Sequence, residues 1–138
     1  MSERSFCMIK PDAVSRGVIG KIISALELNG FCICRMEMKW LTREEASRFY
    51  SVHKERPFFP ALVTFVTSGP VVGIEVKGED AVNRLRKLIG ATDPEKAAEG
   101  TLRQLYGTDI RHNAIHASDS QDSYKRETAI FFGDSACC

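Results

Sequence analysis

Residues 32–40 carry the pattern that most restricts how this chain can fold. Cys32, Cys34, Met36, Met38 and Trp40 alternate with Ile33, Arg35, Glu37 and Lys39. A period of two puts each set on one side of an extended backbone and on no single side of a helix. The alternation predicts a strand whose cysteine, methionine and tryptophan face is covered while the other, more polar face is open. Such a strand needs neighbours in a sheet and a layer against its apolar side.

The rest of the chain supplies both. Residues 5–10 read as a strand ended by Pro11, and Val18, Ile22, Ala25, Leu26 and Asn29 follow helical spacing up to a capping Gly30. Thr42 caps a helix over residues 43–50, and a second helix covers residues 57–67 with its prolines in the first turn. Ser68-Gly69-Pro70 breaks that helix; residues 71–76 form a third strand, 79–88 a helix and 114–117 a short fourth strand before a terminal helix. This order predicts an α+β domain of the ferredoxin-like βαββαβ plan, a four-stranded antiparallel sheet covered by helices. An extra helical pair interrupts it in the middle, and a long loop precedes the last strand. With 138 residues and 43% hydrophobic content, the chain can bury a substantial core as one domain over residues 1–138, with 133–138 as a flexible tail.

Lys and Arg number 19 against 18 acidic residues, so net charge predicts no general attraction to nucleic acid or membrane, and any anion site is local. No apolar leader or bilayer-length run is visible, and the expectation is a soluble, cytoplasmic protein. The five cysteines, Cys7, Cys32, Cys34, Cys137 and Cys138, have neither CxxC nor zinc-ligand spacing. The first three read as small apolar strand residues of a reduced compartment, the last two as tail thiols open to adventitious oxidation.

Chemistry concentrates in Asn113-Ala114-Ile115-His116-Ala117-Ser118-Asp119-Ser120, where a histidine ends a short apolar run just before hydroxyls and a carboxylate. Imidazole serves as nucleophile or base near neutral pH. Ser118 and Ser120 are both candidate N-caps, and Ser118-Asp119-Ser120-Gln121 fits a capping box with Asp119 and Asp122 at the positive helix end. Farther along, Tyr124, Thr128, Phe131 and Phe132 recur at helical spacing, and Glu127 falls on their face. A carboxylate turned inward needs a partner, and chain geometry offers Ser118 and His116. A histidine oriented by a serine and a glutamate is an arrangement for nucleophilic catalysis. The competing reading is a partly buried histidine satisfied by backbone, with Glu127 curled out to solvent.

Residues 90–113 have little apolar periodicity and read as a long functional loop containing Thr92, Pro94, Gly100, Thr101, Arg103 and Gly107. Arg86, Thr92 and Arg103, with Lys10 at a strand end, are the groups that grip a polyphosphate, although each basic residue taken singly also reads as a solvated surface group. Phe58 and Phe59 follow Arg56-Pro57 and offer an aromatic face to a base, or to the core. Neither a Gly-x-x-x-x-Gly-Lys-Ser/Thr loop nor a kinase Gly-rich loop is present.

Taken in order, Ile9-Lys10-Pro11-Asp12-Ala13-Val14, Arg56-Pro57-Phe58-Phe59, Ser68-Gly69-Pro70-Val71, Gly90-Ala91-Thr92-Asp93-Pro94, Gly100-Thr101-Leu102-Arg103 and the segment from Asn113 to Ser120 resemble the successive signatures of the nucleoside diphosphate kinases. The resemblance runs over about residues 6–132. It implies transfer of the γ-phosphoryl group of a nucleoside triphosphate to a nucleoside diphosphate, by a ping-pong route through a phosphohistidine, with Mg²⁺ on the nucleotide phosphates. His116 would be the phosphorylated nucleophile, oriented by Glu127 and Ser118, with Tyr50 beside it and Lys10. Lys10, Arg86, Thr92 and Arg103 would hold the phosphates, Phe58 and Ile110 would sandwich the base, and Asn113 and Lys10 would reach the sugar hydroxyls. The resemblance implies no dedicated protein metal site, with Asp119 reaching the Mg²⁺ through water. The implied partners are nucleotides and further copies of the chain, a hexamer ahead of a tetramer, with no membrane and no specific nucleic acid. Ala117 stands where this family usually has glycine, adding one methyl group beside the histidine.

Two other classes bear on the same residues. A non-enzymatic binding module of this fold would expose aromatics on the sheet, whereas Phe6 and Trp40 pattern as core. An inactive scaffold would lack the histidine or phosphate ligands, and here they are all present.

Overall fold

A computed structural model describes residues 2–133. Strands β1 (Ser2–Ile9), β2 (Cys32–Lys39), β3 (Val71–Glu79) and β4 (Ile115–Ala117) form one antiparallel sheet in the order β2-β3-β1-β4. Around it lie α1 (Pro11–Ser15), α2 (Ile19–Leu28), α3 (Arg43–Phe49), α4 (Phe59–Val66), α5 (Ala81–Ile89), α6 (Leu102–Tyr106) and α7 (Gln121–Phe132). This is the ferredoxin-like α+β plan, with α3 and α4 as the inserted helical pair. Central strand β1 pairs with β3 from Ser2↔Glu79 to Ile9↔Val72, and with β4 from Cys7↔Ala117 to Ile9↔Ile115. His116 is thereby set opposite Met8, next to the middle of the sheet.

Alternation along β1 divides the core. Cys7 and Ile9 join Ile22 and Leu26 of α2 and Leu85 and Ile89 of α5 in one cluster, while Phe6 and Met8 join Phe49, Leu62 and Phe131 in another. A side chain at Gly73 would place its Cβ 2.3 Å from the Phe131 ring, so only glycine lets α7 pack this closely on β3. That contact fixes the height of α7, the helix that carries Glu127. Thr42 caps α3 through a complete capping box with Glu45, as its position in the sequence predicts.

The expected covered face of β2 is instead open. Met36, Met38 and Trp40 are 51%, 53% and 62% exposed, and Cys32 is exposed as well. A period of two identifies a strand without saying which face is covered. β2 is an edge strand, and its register against β3 shifts between Ile33 and Arg35, interrupting the alternation. Trp40 is therefore not core; its indole N–H donates to the Thr67 carbonyl at 2.6 Å.

Residues 90–113 also depart from a plain loop. They contain a 3₁₀ turn, Pro94–Lys96, and helix α6, whose Leu102 is buried. Both elements are too short to leave a periodic signal. Pro11 does more than end β1, since it opens α1 at a position where a missing N–H costs nothing. Helix α4 begins at Phe59, two residues later than expected, and β3 runs on to Glu79. Among the described residues no helix is long and apolar enough to cross a membrane. Cys137, Cys138 and the tail beyond Gly133 lie outside the described residues.

Candidate active site

The approach to β4 is a strained turn. Ala114 has φ +76°, and the Ile115 N–H donates across it to the Asn113 carbonyl at 2.9 Å, closing a γ-turn. Lys10 N–H donates to the Ala114 carbonyl at 2.8 Å, and Ala114 N–H donates to Asp12 Oδ2 at 3.0 Å, so both sides of the turn are tied to the β1–α1 junction. His116 follows two residues later. Its Nε2 lies 2.8 Å from Glu127 Oε1, the same oxygen that accepts a 2.7 Å hydrogen bond from Ser118 Oγ. Glu127 and Ser118 are buried, so the carboxylate faces the interior, as helical spacing predicts. Of the two candidate N-caps, Ser120 performs the capping, accepting from Ser123 N–H at 3.0 Å, which leaves the Ser118 hydroxyl for Glu127.

Aromatic rings enclose the imidazole. Phe49 and Tyr50 meet it edge-on, with centroids 5.1 and 5.9 Å away. The Tyr50 hydroxyl is buried without a hydrogen-bond partner among the described residues, and burial first, then the Glu127 charge, pushes its pKa up. Arg126 donates to the Phe49 carbonyl at 2.9 Å and lies 3.5 Å from Glu127 Oε2, linking α3 to the carboxylate.

The cationic groups are similarly fixed. Lys10 Nζ donates to Asn113 Oδ1 at 2.8 Å, and Asn113 Nδ2 donates to the Thr92 carbonyl at 2.9 Å. Burial, followed by the nearby Arg103 guanidinium, pulls the Lys10 pKa down to about 8. Arg103 donates through Nη2 and Nε to the Ile115 carbonyl at 3.0 and 3.2 Å, and through Nη1 to the Gly90 carbonyl at 3.1 Å. Burial and then Arg86 lower its pKa to about 10, so it stays charged at neutral pH. Arg86 reaches the Ala117 carbonyl at 3.4 Å. Gly90 sits at φ +96°, a conformation that favours glycine and aims its carbonyl at Arg103.

These groups line one cleft of about 990 Å³. Lys10, Tyr50, Arg86, Thr92, Arg103, Asn113, His116 and Glu127 form its walls together with Phe58, Ile110 and Asp119. Ser118 alone of the expected residues stands behind the wall, buried against Glu127. The Ser123 hydroxyl, at 2.6 Å, holds the Asp119 carboxyl below its usual range, so this cleft-lining group is ionised at neutral pH. Among the described residues no group of three or more His, Cys, Asp or Glu is arranged to hold a metal ion.

Sequence reasoning passed over Asp12, Phe49 and Arg126. Asp12 belongs to the Lys10-Pro11-Asp12 motif, but nothing in the sequence ties it to an amide one hundred residues away. Arg126 stands next to Glu127, and that adjacency was the available signal.

A sequence profile described as "Nucleoside diphosphate kinase" matches residues 3–137. The chain is 54% identical over 132 residues to the nucleoside diphosphate kinase of Hyperthermus butylicus, covering 96% of this chain and 93% of the other. It is 49% identical to that of Archaeoglobus fulgidus, covering 96% and 87%. Among solved structures, the Aquifex aeolicus nucleoside diphosphate kinase matches with a TM-score of 0.94 and 45% identity over 97% of both chains. The Halobacterium salinarum enzyme, solved in complex with CDP, matches with a TM-score of 0.95 and 44% identity over 100% of this chain and 92% of that one. Agreement of this extent, along nearly the full length of each chain, leads to one conclusion: the protein belongs to the nucleoside diphosphate kinase family.

Proposed function

We propose that this kinase moves the γ-phosphoryl group in two steps through a phosphohistidine at His116, sustaining nucleoside triphosphate pools. The observation that carries this is the engagement of Nε2 by Glu127 at 2.8 Å. A carboxylate that also accepts from Ser118 keeps the ring proton on Nε2, leaving the Nδ1 lone pair as the nucleophile. In the first step Nδ1 forms a bond to the γ-phosphorus as the bond to the β–γ bridging oxygen breaks, and the nucleoside diphosphate leaves. The positive charge that develops on the ring is balanced by Glu127. In the second step a terminal oxygen of the acceptor diphosphate attacks the same phosphorus and the N–P bond breaks, restoring the imidazole.

Lys10, Arg86, Thr92 and Arg103 hold the phosphates in line and neutralise their charge, and the orphaned Tyr50 hydroxyl gains a partner there. Phe58 and Ile110 take the base between them, and Asn113 with Lys10 reaches the sugar. The donor set fits a cation carried by the substrate: the ionised Asp119 is among the carboxylates that line the cleft and is able to meet the cation through water. Mg²⁺ on the nucleotide supplies charge neutralisation at the phosphate oxygens.

The chain works as a homo-oligomer, a hexamer ahead of a tetramer. The open apolar side chains of Met36 and Met38 on edge strand β2, and of Trp40 just beyond it, support self-association. It acts as one domain over residues 1–138 in the cytoplasm, a reading supported by the shared sheet and by Cys7 and Cys32 being free thiols. Initial rates measured with both nucleotides varied test the two-step route. Parallel double-reciprocal lines are expected; intersecting lines would mean direct transfer in a ternary complex.

A further inference from the structure

All three histidines of the chain line the same cleft, and the reaction uses only His116. His112 belongs to a loop closed on itself. Thr108 N–H donates to the His112 carbonyl at 2.7 Å, and Asp109 Oδ1 accepts from the backbone N–H groups of Arg111 and His112 at 3.0 and 2.8 Å. Ile110 projects from this loop, 61% exposed. These bonds make the loop stiff, but they do not join it to the rest of the molecule.

Two side chains do. Arg16, at the end of α1, donates to Thr108 Oγ1 at 2.8 Å. On the other side the His112 ring lies against Phe65, with centroids 4.5 Å apart and planes at 59°. Phe65 belongs to α4, the helix that Phe58 immediately precedes. His112 Nδ1 is 3.0 and 3.2 Å from the two Asp109 oxygens, which fixes how the ring presents itself to Phe65. The backbone N–H of His112, and then its ring, hold the Asp109 carboxyl below its usual range, so the pair is charge-assisted. The two side chains read as the walls of the base slot therefore sit on separate bodies, and His112 spans them.

We propose that His112 is a positioning residue for the nucleotide base, fastening the Ile110 loop to α4 and so setting the width of the slot between Phe58 and Ile110. This rests on the reading that those two residues hold the base. Without the His112 ring the loop keeps its Arg16 tie and its anchored ends at Gly107 and Asn113 but loses its contact with α4, and the Ile110 wall no longer meets a base stacked on Phe58. Ligands with a base lose affinity, whereas a base-free polyphosphate, held by Lys10, Arg86 and Arg103, does not.

The test compares adenosine diphosphate as acceptor with inorganic tripolyphosphate as competitor on the full chain. His112→Ala is expected to raise KM for the diphosphate about tenfold, the scale of a lost aromatic contact. It should change kcat by less than about twofold and leave tripolyphosphate inhibition as in the parent. His112→Phe, which keeps a ring on Phe65, should return KM to within about threefold of the parent. Phe65→Leu removes the opposite ring and should show the same base-selective loss, which keeps the proposal testable should His112→Ala fail to fold. Equal weakening of both ligands, or an unchanged KM in His112→Ala and Phe65→Leu, would overturn it. Phe58→Ala separates the two levels: if its KM is unchanged, the base slot itself is misplaced, whereas a raised KM there alone leaves the slot standing and removes His112 from it.

Discussion

The cleft joins two regions of opposite make-up. Where the phosphates are proposed to lie, Lys10, Arg103, Asn113, Ser118 and Glu127 are all buried, and each is held by hydrogen bonds to backbone or to a neighbour. Where the base is proposed to lie, Phe58 and Ile110 are 44% and 61% exposed, and ring contacts of His53 and His112 link their surroundings beside hydrogen bonds internal to the Ile110 loop. Charge stabilisation gains from burial because the local dielectric is low and the dipoles are already oriented. It also carries costs: a left-handed Ala114 and a lysine whose pKa has fallen to about 8. Stacking needs none of this, and because every base has a π-face, an open aromatic wall accepts them broadly. The buried region is built for one reaction and the exposed one for many nucleotides.

If that division is right, changes in the buried region should be the most damaging. His116→Ala should lower turnover by roughly 10⁴-fold or more, the scale of losing a nucleophile, while the far-ultraviolet circular dichroism is retained. Turnover close to the parent would place the chemistry elsewhere. Glu127→Gln keeps shape and hydrogen bonding but removes the charge behind the imidazole, so kcat should fall by roughly 10²-fold with little change in nucleotide affinity or melting temperature. Near-normal kcat would show that the carboxylate does not steady the ring.

A pH titration reads the same region. Lys10 is charged below about 8 in the free protein, and a bound phosphate favours the charged form and raises that value. Affinity for a nucleoside diphosphate should therefore be full at pH 7 and fall by about tenfold by pH 9, with Arg103 still charged. A flat profile over this range would indicate that Lys10 does not contact the phosphates. In the exposed region the effects shrink: Phe58→Ala should raise KM about five- to tenfold, to similar degrees for purine and pyrimidine nucleotides, with kcat nearly unchanged. A large difference between bases would show that this wall reads the base and does not merely stack on it. Pro94 is buried and opens its 3₁₀ turn, with its ring beside Gly107. Pro94→Ser should lower the melting midpoint by about 4 °C and weaken assembly more than nucleotide binding.

What the sequence revealed follows the same divide. The inward position of Glu127 was legible because helical spacing tied it to Thr128 and Phe131, and a buried carboxylate needs a partner. The succession of strands and helices along the chain was legible from turn residues and alternation. The orientation of β2 was not, since the same alternation fits either face, and an edge strand with a register shift gives no hint of what covers it. The γ-turn at Ala114 was also invisible, because an alanine at positive φ is imposed by Asp12 and Lys10 from a distant part of the chain. Helix α6 escaped because five residues around one buried leucine leave no period to read. Local chemistry survives in a sequence, whereas long-range constraint does not.

If the transfer runs through the histidine, phosphate rests on His116 between donor and acceptor. The direct measurement is to incubate the protein with Mg²⁺ and γ-labelled ATP, without any diphosphate acceptor, and to map the label by peptide mass after alkaline and after acid treatment. One phosphoryl group is expected on His116, stable in base, lost in acid, and discharged on adding a nucleoside diphosphate. An acid-stable label on another residue, or undiminished labelling of His116→Ala, would contradict it.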